Sequence, residues 1–177
     1  MTEQQEASED AVMTRIGQAV ILLHAGDREE ARNRLAEIWS EIGEEGDSFR
    51  RCTLAHYLAD AQDDPAEELA WDLRALAAAE RLADGARARD GGGAARGRPD
   101  QAVRVFYPSL HLSLAADYVK LRRPEAARVH LARARAATGA LGDDGYGNGV
   151  RAAIARLERR LAAEPGEGPR PFPEQHP

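Results

Sequence analysis

Residues 114–134 read Leu-Ala-Ala-Asp-Tyr-Val-Lys-Leu-Arg-Arg-Pro-Glu-Ala-Ala-Arg-Val-His-Leu-Ala-Arg-Ala, and within them Leu114, Ala115, Tyr118, Ala127, Leu131 and Ala134 form a sparse ladder of small and large apolar residues. An earlier stretch repeats the ladder as Ala19, Leu22, Gly26, Ala31, Leu35 and Ile38, with the same offsets between small and bulky positions. Two antiparallel helices that approach closely admit only a small side chain where their backbones nearly touch, and large residues fill the space above and below. Ala19 and Ala115 on a first helix, and Ala31 and Ala127 on a second, are the expected notches. The break between the helices, Gly26-Asp27-Arg28-Glu29-Glu30-Ala31, supports this. Gly26 takes the left-handed conformation that ends a helix, Asp27 caps the next, and Glu30 is expected to complete a capping box.

A middle copy pairs a helix containing Phe49, Cys52, Ala55 and Leu58 with one that starts at Asp64-Pro65 and carries Leu69, Ala70, Leu73 and Leu76. Proline at the first helical position after an aspartate cap is a start signal. Counted between the small residues of the second helices, Ala31 to Ala70 is 39 positions and Ala70 to Ala127 is 57. The second interval exceeds the first, and an insertion accounts for the excess. Residues 84–101, with Gly91-Gly92-Gly93 and Arg96-Gly97-Arg98-Pro99, show no apolar period and read as a flexible loop. Their Arg87, Arg89, Arg96 and Arg98 are read as solvated rather than as a nucleic-acid contact.

The ladder resembles the tetratricopeptide repeat family, whose unit of about 34 residues sets a small residue, an aromatic, a second small residue and a large apolar one at fixed offsets. Ala115, Tyr118, Ala127 and Leu131 fill those places in the last copy, and Ala19, Leu22, Ala31 and Leu35 in the first. The likeness spans roughly residues 11–140. The near-exclusive use of arginine over lysine, with Lys120 the single lysine, also looks like small stand-alone tetratricopeptide-like proteins of actinobacteria. The resemblance implies an all-α fold of about three antiparallel hairpins stacked as a right-handed superhelix. Val150, Ile154, Leu157 and Leu161, recurring at i, i+4, i+7 and i+11, add a helix that covers the far end. The expected organisation is a disordered 1–10, a helical domain over 11–163 and a disordered proline-rich tail over 164–177.

The resemblance further implies a ligand surface on the inner, concave face formed by the first helices. Register places Ile16, Val20 and His24 there in the first copy, Cys52 and His56 in the second, and Ser109, Leu112 and Ala116 in the third. Relatives that grip a terminal carboxylate use a Lys, Arg and Asn cluster at these places, which this chain lacks. Trp39 and Trp71 read as packing residues within the hairpins.

Catalytic patterns are missing from the sequence: there is no HExxH, no CxxC pair, no nucleophile elbow and no phosphate-cradling loop. Glycines 142, 145, 147 and 149 fall between two helices rather than after a strand. His56 and Asp60, four apart, share one helix face and could be half of a metal site, but read better as a helix-stabilising pair. The expectation is therefore a protein that is no enzyme and needs no cofactor or metal. No apolar run approaches the roughly 20 residues of a membrane span, Met1 to Asp10 lacks the features of a secretion signal, and Cys52 is the only cysteine. A cytoplasmic location is expected, with neither membrane nor nucleic acid as partner.

Net charge is −6, split unevenly. Through Asp90 there are 10 basic and 21 acidic residues (10 − 21 = −11), and after it 14 basic and 9 acidic (14 − 9 = +5). Such a bipolar chain can orient a charged partner or associate head to tail. Two functions follow: an adaptor that holds a peptide or helical segment of another protein on its concave face, or a regulatory sensor that closes on a small molecule or signalling peptide.

Overall fold

The structure, a computed structural model, describes residues 3–44, 46–90 and 99–163. It is all-α. Seven helices run α1 (Glu3–His24), α2 (Arg28–Ile42), α3 (Ser48–Asp60), α4 (Pro65–Asp90), α5 (Pro99–Lys120), α6 (Pro124–Ala136) and α7 (Gly145–Ala163), with a 3-10 turn at Thr138–Ala140, and no strand occurs among the described residues. Consecutive helices pack on one another, and the connections of three or four residues within α1/α2, α3/α4 and α5/α6 make these pairs antiparallel.

The first and third hairpins are copies at an offset of 96 positions (115 − 19, 127 − 31). Ala19, Ala31, Ala115 and Ala127 are all fully buried. At the first turn Gly26 has φ 93°, its N–H donates to the Leu23 carbonyl at 3.2 Å, and the Asp27 N–H donates to Leu22 at 3.0 Å. Ninety-six positions on, Arg122 has φ 57°, its N–H donates to Val119 at 3.0 Å, and the Arg123 N–H donates to Tyr118 at 2.8 Å. Both are the same six-residue helix stop. The Asp27 cap accepts from the Glu30 N–H. The second half of the expected capping box is not made: the Asp27 N–H is already spent on Leu22, and the Glu30 carboxylate accepts from Arg34 at 2.7 Å.

Asp47 and Asp64 cap α3 and α4, the latter with Pro65 following it as the sequence signals. Several expected boundaries move. The amino-terminal helix starts at Glu3 rather than at residue 11, because Glu, Gln and Ala are strong helix formers that let the helix continue backwards beyond its apolar period. Residues 84–90 continue α4 and 99–101 open α5, so most of the expected loop is helix; 91–98 lie outside the described residues, as does the tail 164–177. The long second interval therefore reflects longer helices, 26 residues in α4 against 15 in α2. Gly145, Gly147 and Gly149 belong to the first turns of α7 rather than to a loop.

The core has three parts. Ile16, Ala19, Leu23, Leu35, Ile38, Leu54 and Leu58 fill the first, where Trp39 meets Trp71 edge to face at 5.1 Å with Arg51 and Arg74 over the two rings. The middle part is narrow and alanine-rich, with Ala55, Ala75, Ala79 and Ala83 letting α4 lie close to both α3 and α5. The third gathers Ala115, Ala127, Leu131, Val150, Ile154 and Leu161, so the apolar face of α7 packs on α5 and α6 as its spacing predicts. Among the described residues, no helix is long and apolar enough to cross a membrane.

Candidate functional site

Glu68 and Asp72 are the fourth and eighth residues of α4, and at the same places α2 has Ala31 and Leu35 and α6 has Ala127 and Leu131. The middle hairpin thus carries carboxylates where its neighbours carry notch and filler. The face of α4 expected from Leu69, Ala70 and Leu73 is rotated accordingly: Asp72 is buried, Leu69 and Ala70 are half-buried, and Leu73 is 42% exposed. Glu68, Asp72 and α5's Asp117 and Lys120 come together because α4 and α5 run antiparallel, bringing the start of one to the end of the other. His56 and Asp60, from the last turns of α3, close the third side.

In this cluster His56 Nδ1 lies 3.3 Å from Asp72 Oδ1, while its Nε2 is 3.9 Å from Asp60 Oδ2. The Lys120 ammonium donates to both Glu68 oxygens, at 2.6 and 2.7 Å. Asp117 is 1% exposed; no N–H or hydroxyl donor reaches its buried Oδ2, and its carboxyl group is instead hydrogen-bonded to the carboxyl groups of Asp72 and Glu68. Burial, together with the charges and hydrogen bonds of Asp72 and Glu68, pushes the Asp117 carboxyl up to about 9. It is therefore a neutral acid near pH 7 that can donate to a carboxylate. For His56, burial pulls toward the neutral form, but the Asp72 hydrogen bond and the charges of Asp60 and Asp72 outweigh it and set the imidazole above its ordinary value. Asp60, half-exposed at the rim, is raised by burial and by Asp72 and Glu68 against the opposing pull of His56 and Lys120.

Cys52 sits one helical turn before His56 and is buried; burial and the Asp72 charge push its thiol up to about 12. It supplies no thiolate near neutral pH, so this is not a Cys-His nucleophile. No group of three His, Cys, Asp or Glu among the described residues is arranged to hold a metal ion. What the cluster holds, it holds by charge: four carboxyl groups, one imidazole and one ammonium.

The expected concave-face residues do not converge. Ile16 and Cys52 are interior residues of two different core parts, because the small-residue register places them against the neighbouring helix rather than beside it. Val20 is half-buried against the first core, and His24 is exposed at the end of α1. Ser109 donates to the Phe106 carbonyl and accepts from the Tyr146 hydroxyl at 3.1 Å. Leu112 packs on the third core and Ala116 is half-buried. Only His56 belongs to the cluster: it keeps the expected contact with Asp60 at 3.9 Å and adds a buried partner, Asp72, 16 positions away. Glu68, Asp72, Asp117 and Lys120 were not anticipated; the legible signal was the substitution of Glu68 and Asp72 into the ladder positions of the other hairpins.

A second polar feature runs between α5 and α6. Tyr107, His111, His130 and Tyr118 stack in a column, with the two Nδ1 atoms of the histidines 3.1 Å apart. Burial and the charges of His130 and Arg133 lower His111 to about 4, and burial with Arg133 lowers His130. Both rings are neutral near pH 7, one donating to the other.

Comparison with protein-family models, with curated proteins and with solved structures yields no match to this chain. Fold and site together define an all-α protein of paired helical hairpins with one charged, buried seam.

Proposed function

We propose that this protein is a non-enzymatic adaptor whose hairpins wind into a right-handed superhelix of the tetratricopeptide kind and hold a peptide or helical segment of another protein. The repeated helix stop at Gly26 and Arg122 and the four buried alanines support the repeat arrangement. The observation that carries the binding role is on α1. Its inner side joins the first core, yet Met13, Gly17 and Ile21, four residues apart, stay uncovered, Ile21 at 68% exposure. A side chain at Gly17 would meet no neighbour within 4 Å. Val20 and His24 fall on the same strip at helical spacing. A helix end-on in the stack with an open apolar strip and a small residue at its centre suits a second helix laid along it.

The test is capture from cell extract by the full chain and by its Ile21→Asp variant, with circular dichroism to show that the variant folds. The adaptor reading expects at least one protein retained by the parent and lost by the variant. Identical captures by both would refute the strip as the binding surface. The competing reading, a sensor for a small ligand, draws instead on the buried carboxyl cluster of Glu68, Asp72 and Asp117.

A further inference from the structure

The first hairpin and the last two helices carry opposite charge. Glu3–Ile42 has four arginines against nine acidic residues (4 − 9 = −5), whereas residues 122–163, the turn before α6 together with α6 and α7, have nine arginines against four acidic residues (9 − 4 = +5). Part of the basic excess is used locally: Arg128 and Arg135 pair with Glu125 and Glu158, and Arg151 donates to the Leu141 and Gly142 carbonyls. Arg122, Arg123 and Arg133 are exposed on or beside α6 and pair with no acid among the described residues.

Each of these two regions also leaves an uncharged strip open. From Ala11 to Gly26 the one charged residue is Arg15, which is bound by Glu41 with Glu37 beside it, so Met13, Gly17 and Ile21 form a neutral strip on an acidic hairpin. On α6, Val129 is 50% exposed, and Ala132 and Ala136, three and seven residues further on, are exposed on the same side. Arg133, one turn after Val129, borders that side. The α1 strip is bulky at both ends and hollow at Gly17; the α6 strip has one bulky residue followed by two small ones.

We propose that the helix received by the α1 strip is α6 of a second copy of this chain, with Val129 seated at Gly17 between Met13 and Ile21, so that copies join head to tail. Charge selects this pairing over a symmetric one. Two α1 strips laid on each other would bring together two hairpins of like charge, whereas α6 on α1 sets the unpaired arginines against the acidic hairpin, the exposed Glu37 included. A head-to-tail contact leaves one strip of each kind free at the ends of the assembly, which then grows into a chain or closes into a ring. The inference rests on the α1 strip being a helix-binding surface and names an occupant for it; a segment of another protein would compete with the second copy.

The experiment is sedimentation velocity of the full chain over a concentration series, with Ile21→Asp and Val129→Asp alone and mixed, and circular dichroism to show that both variants fold. The parent's mean mass should rise with concentration beyond that of a dimer, and the rise should weaken as salt is added. Each variant alone should stay monomeric. Their equimolar mixture should form a species of twice the monomer mass and none larger, because each variant keeps one intact strip. A monomeric parent overturns the proposal, as does a mixture that stays monomeric. Assembly that survives Val129→Asp and is lost only with Ile21→Asp overturns it in favour of a symmetric α1 contact. If Val129→Asp does not fold, Ala132→Glu in the same strip takes its place. A monomeric parent whose capture of other proteins still depends on Ile21 sinks this inference and leaves the adaptor standing; head-to-tail assembly with no other protein captured through Ile21 does the reverse.

Discussion

Arg122 occupies the place that Gly26 holds 96 positions earlier, with φ 57° against 93° and the same pair of backbone hydrogen bonds around it. A left-handed backbone costs a residue with a Cβ on the order of 1–2 kcal/mol, and glycine almost nothing. Replacing Arg122 by Gly should therefore raise stability by roughly 0.5–1 kcal/mol, the gain reduced by the greater freedom of glycine in the unfolded chain. Gly26→Ala should lower it by about 1 kcal/mol. Urea unfolding of the two variants against the parent checks both signs.

Asp117 sets the alkaline side of the stability profile. Its folded value, about 9, lies above the unfolded carboxylate value of about 3.9. Folding takes up a proton in that window, so its contribution is fully present below about pH 4 and is lost as pH rises toward about 9. The loss is at most about 1.4 kcal/mol per pH unit. His56, also raised, adds to the loss as pH climbs through its folded value. Asp117→Asn keeps a donor toward Asp72 without this proton, and its unfolding midpoint should fall less between about pH 7 and pH 9 than the parent's. An unchanged slope would show that Asp117 is ionised in the folded protein.

The acid side belongs to the histidine column. His111 is lowered to about 4 and His130 is lowered as well, so each favours folding above the unfolded histidine value of about 6.5, and that contribution is lost as pH falls below it. Between about pH 4 and 6.5 the two trends oppose one another, and Asp117 acts with little opposition above that range. His111→Phe keeps a ring between Tyr107 and His130 while removing one of the titrating groups. Its stability should fall less steeply than the parent's from about pH 6.5 to pH 4, measured by thermal unfolding.

The parts of this fold legible in the sequence are those written in local spacing. Gly26-Asp27 announces a helix stop and cap, Asp64-Pro65 a helix start, and Val150 to Leu161 a one-sided helix; each needs only neighbours within a turn or two. The turn at Arg122 has no glycine to mark it, yet the flanking Ala115 and Ala127 still fix its register. Residues 84–90 misled by composition: Gly85 and the arginines suggest a loop, but a helix already anchored by Ala75, Ala79 and Ala83 continues through them. The carboxyl seam was illegible for a different reason. An aspartate in a helix reads as solvated, and what keeps Asp72 inside is His56 from 16 positions before and Asp117 from 45 positions after. Pairings at that separation leave no periodic trace. The site residues inferred from register alone, Ile16 and Cys52, fell into the core because a notch register locates helix contacts and not the open surface.

Two glycines two residues apart in α7, on opposite sides of the helix, should respond to alanine in opposite directions. A Cβ on Gly147 would stand 2.2 Å from the Gly142 carbonyl oxygen, a backbone atom held in place because Arg151 donates to it at 3.0 Å and to the Leu141 carbonyl at 2.9 Å. Gly147 also donates its N–H to the Asp144 cap at 2.7 Å, so the helix start cannot slide away from the clash. Gly147→Ala should therefore cost about 1–3 kcal/mol, the usual range for overfilling a tight contact. A Cβ on Gly149 meets nothing within 4 Å, and the residue is exposed inside the helix. There alanine removes only the conformational entropy of glycine and should stabilise by up to about 1 kcal/mol. Chemical unfolding of the two variants separates the effects; equal destabilisation by both would mean that α7 begins after Gly149 and that the Asp144 cap is not formed.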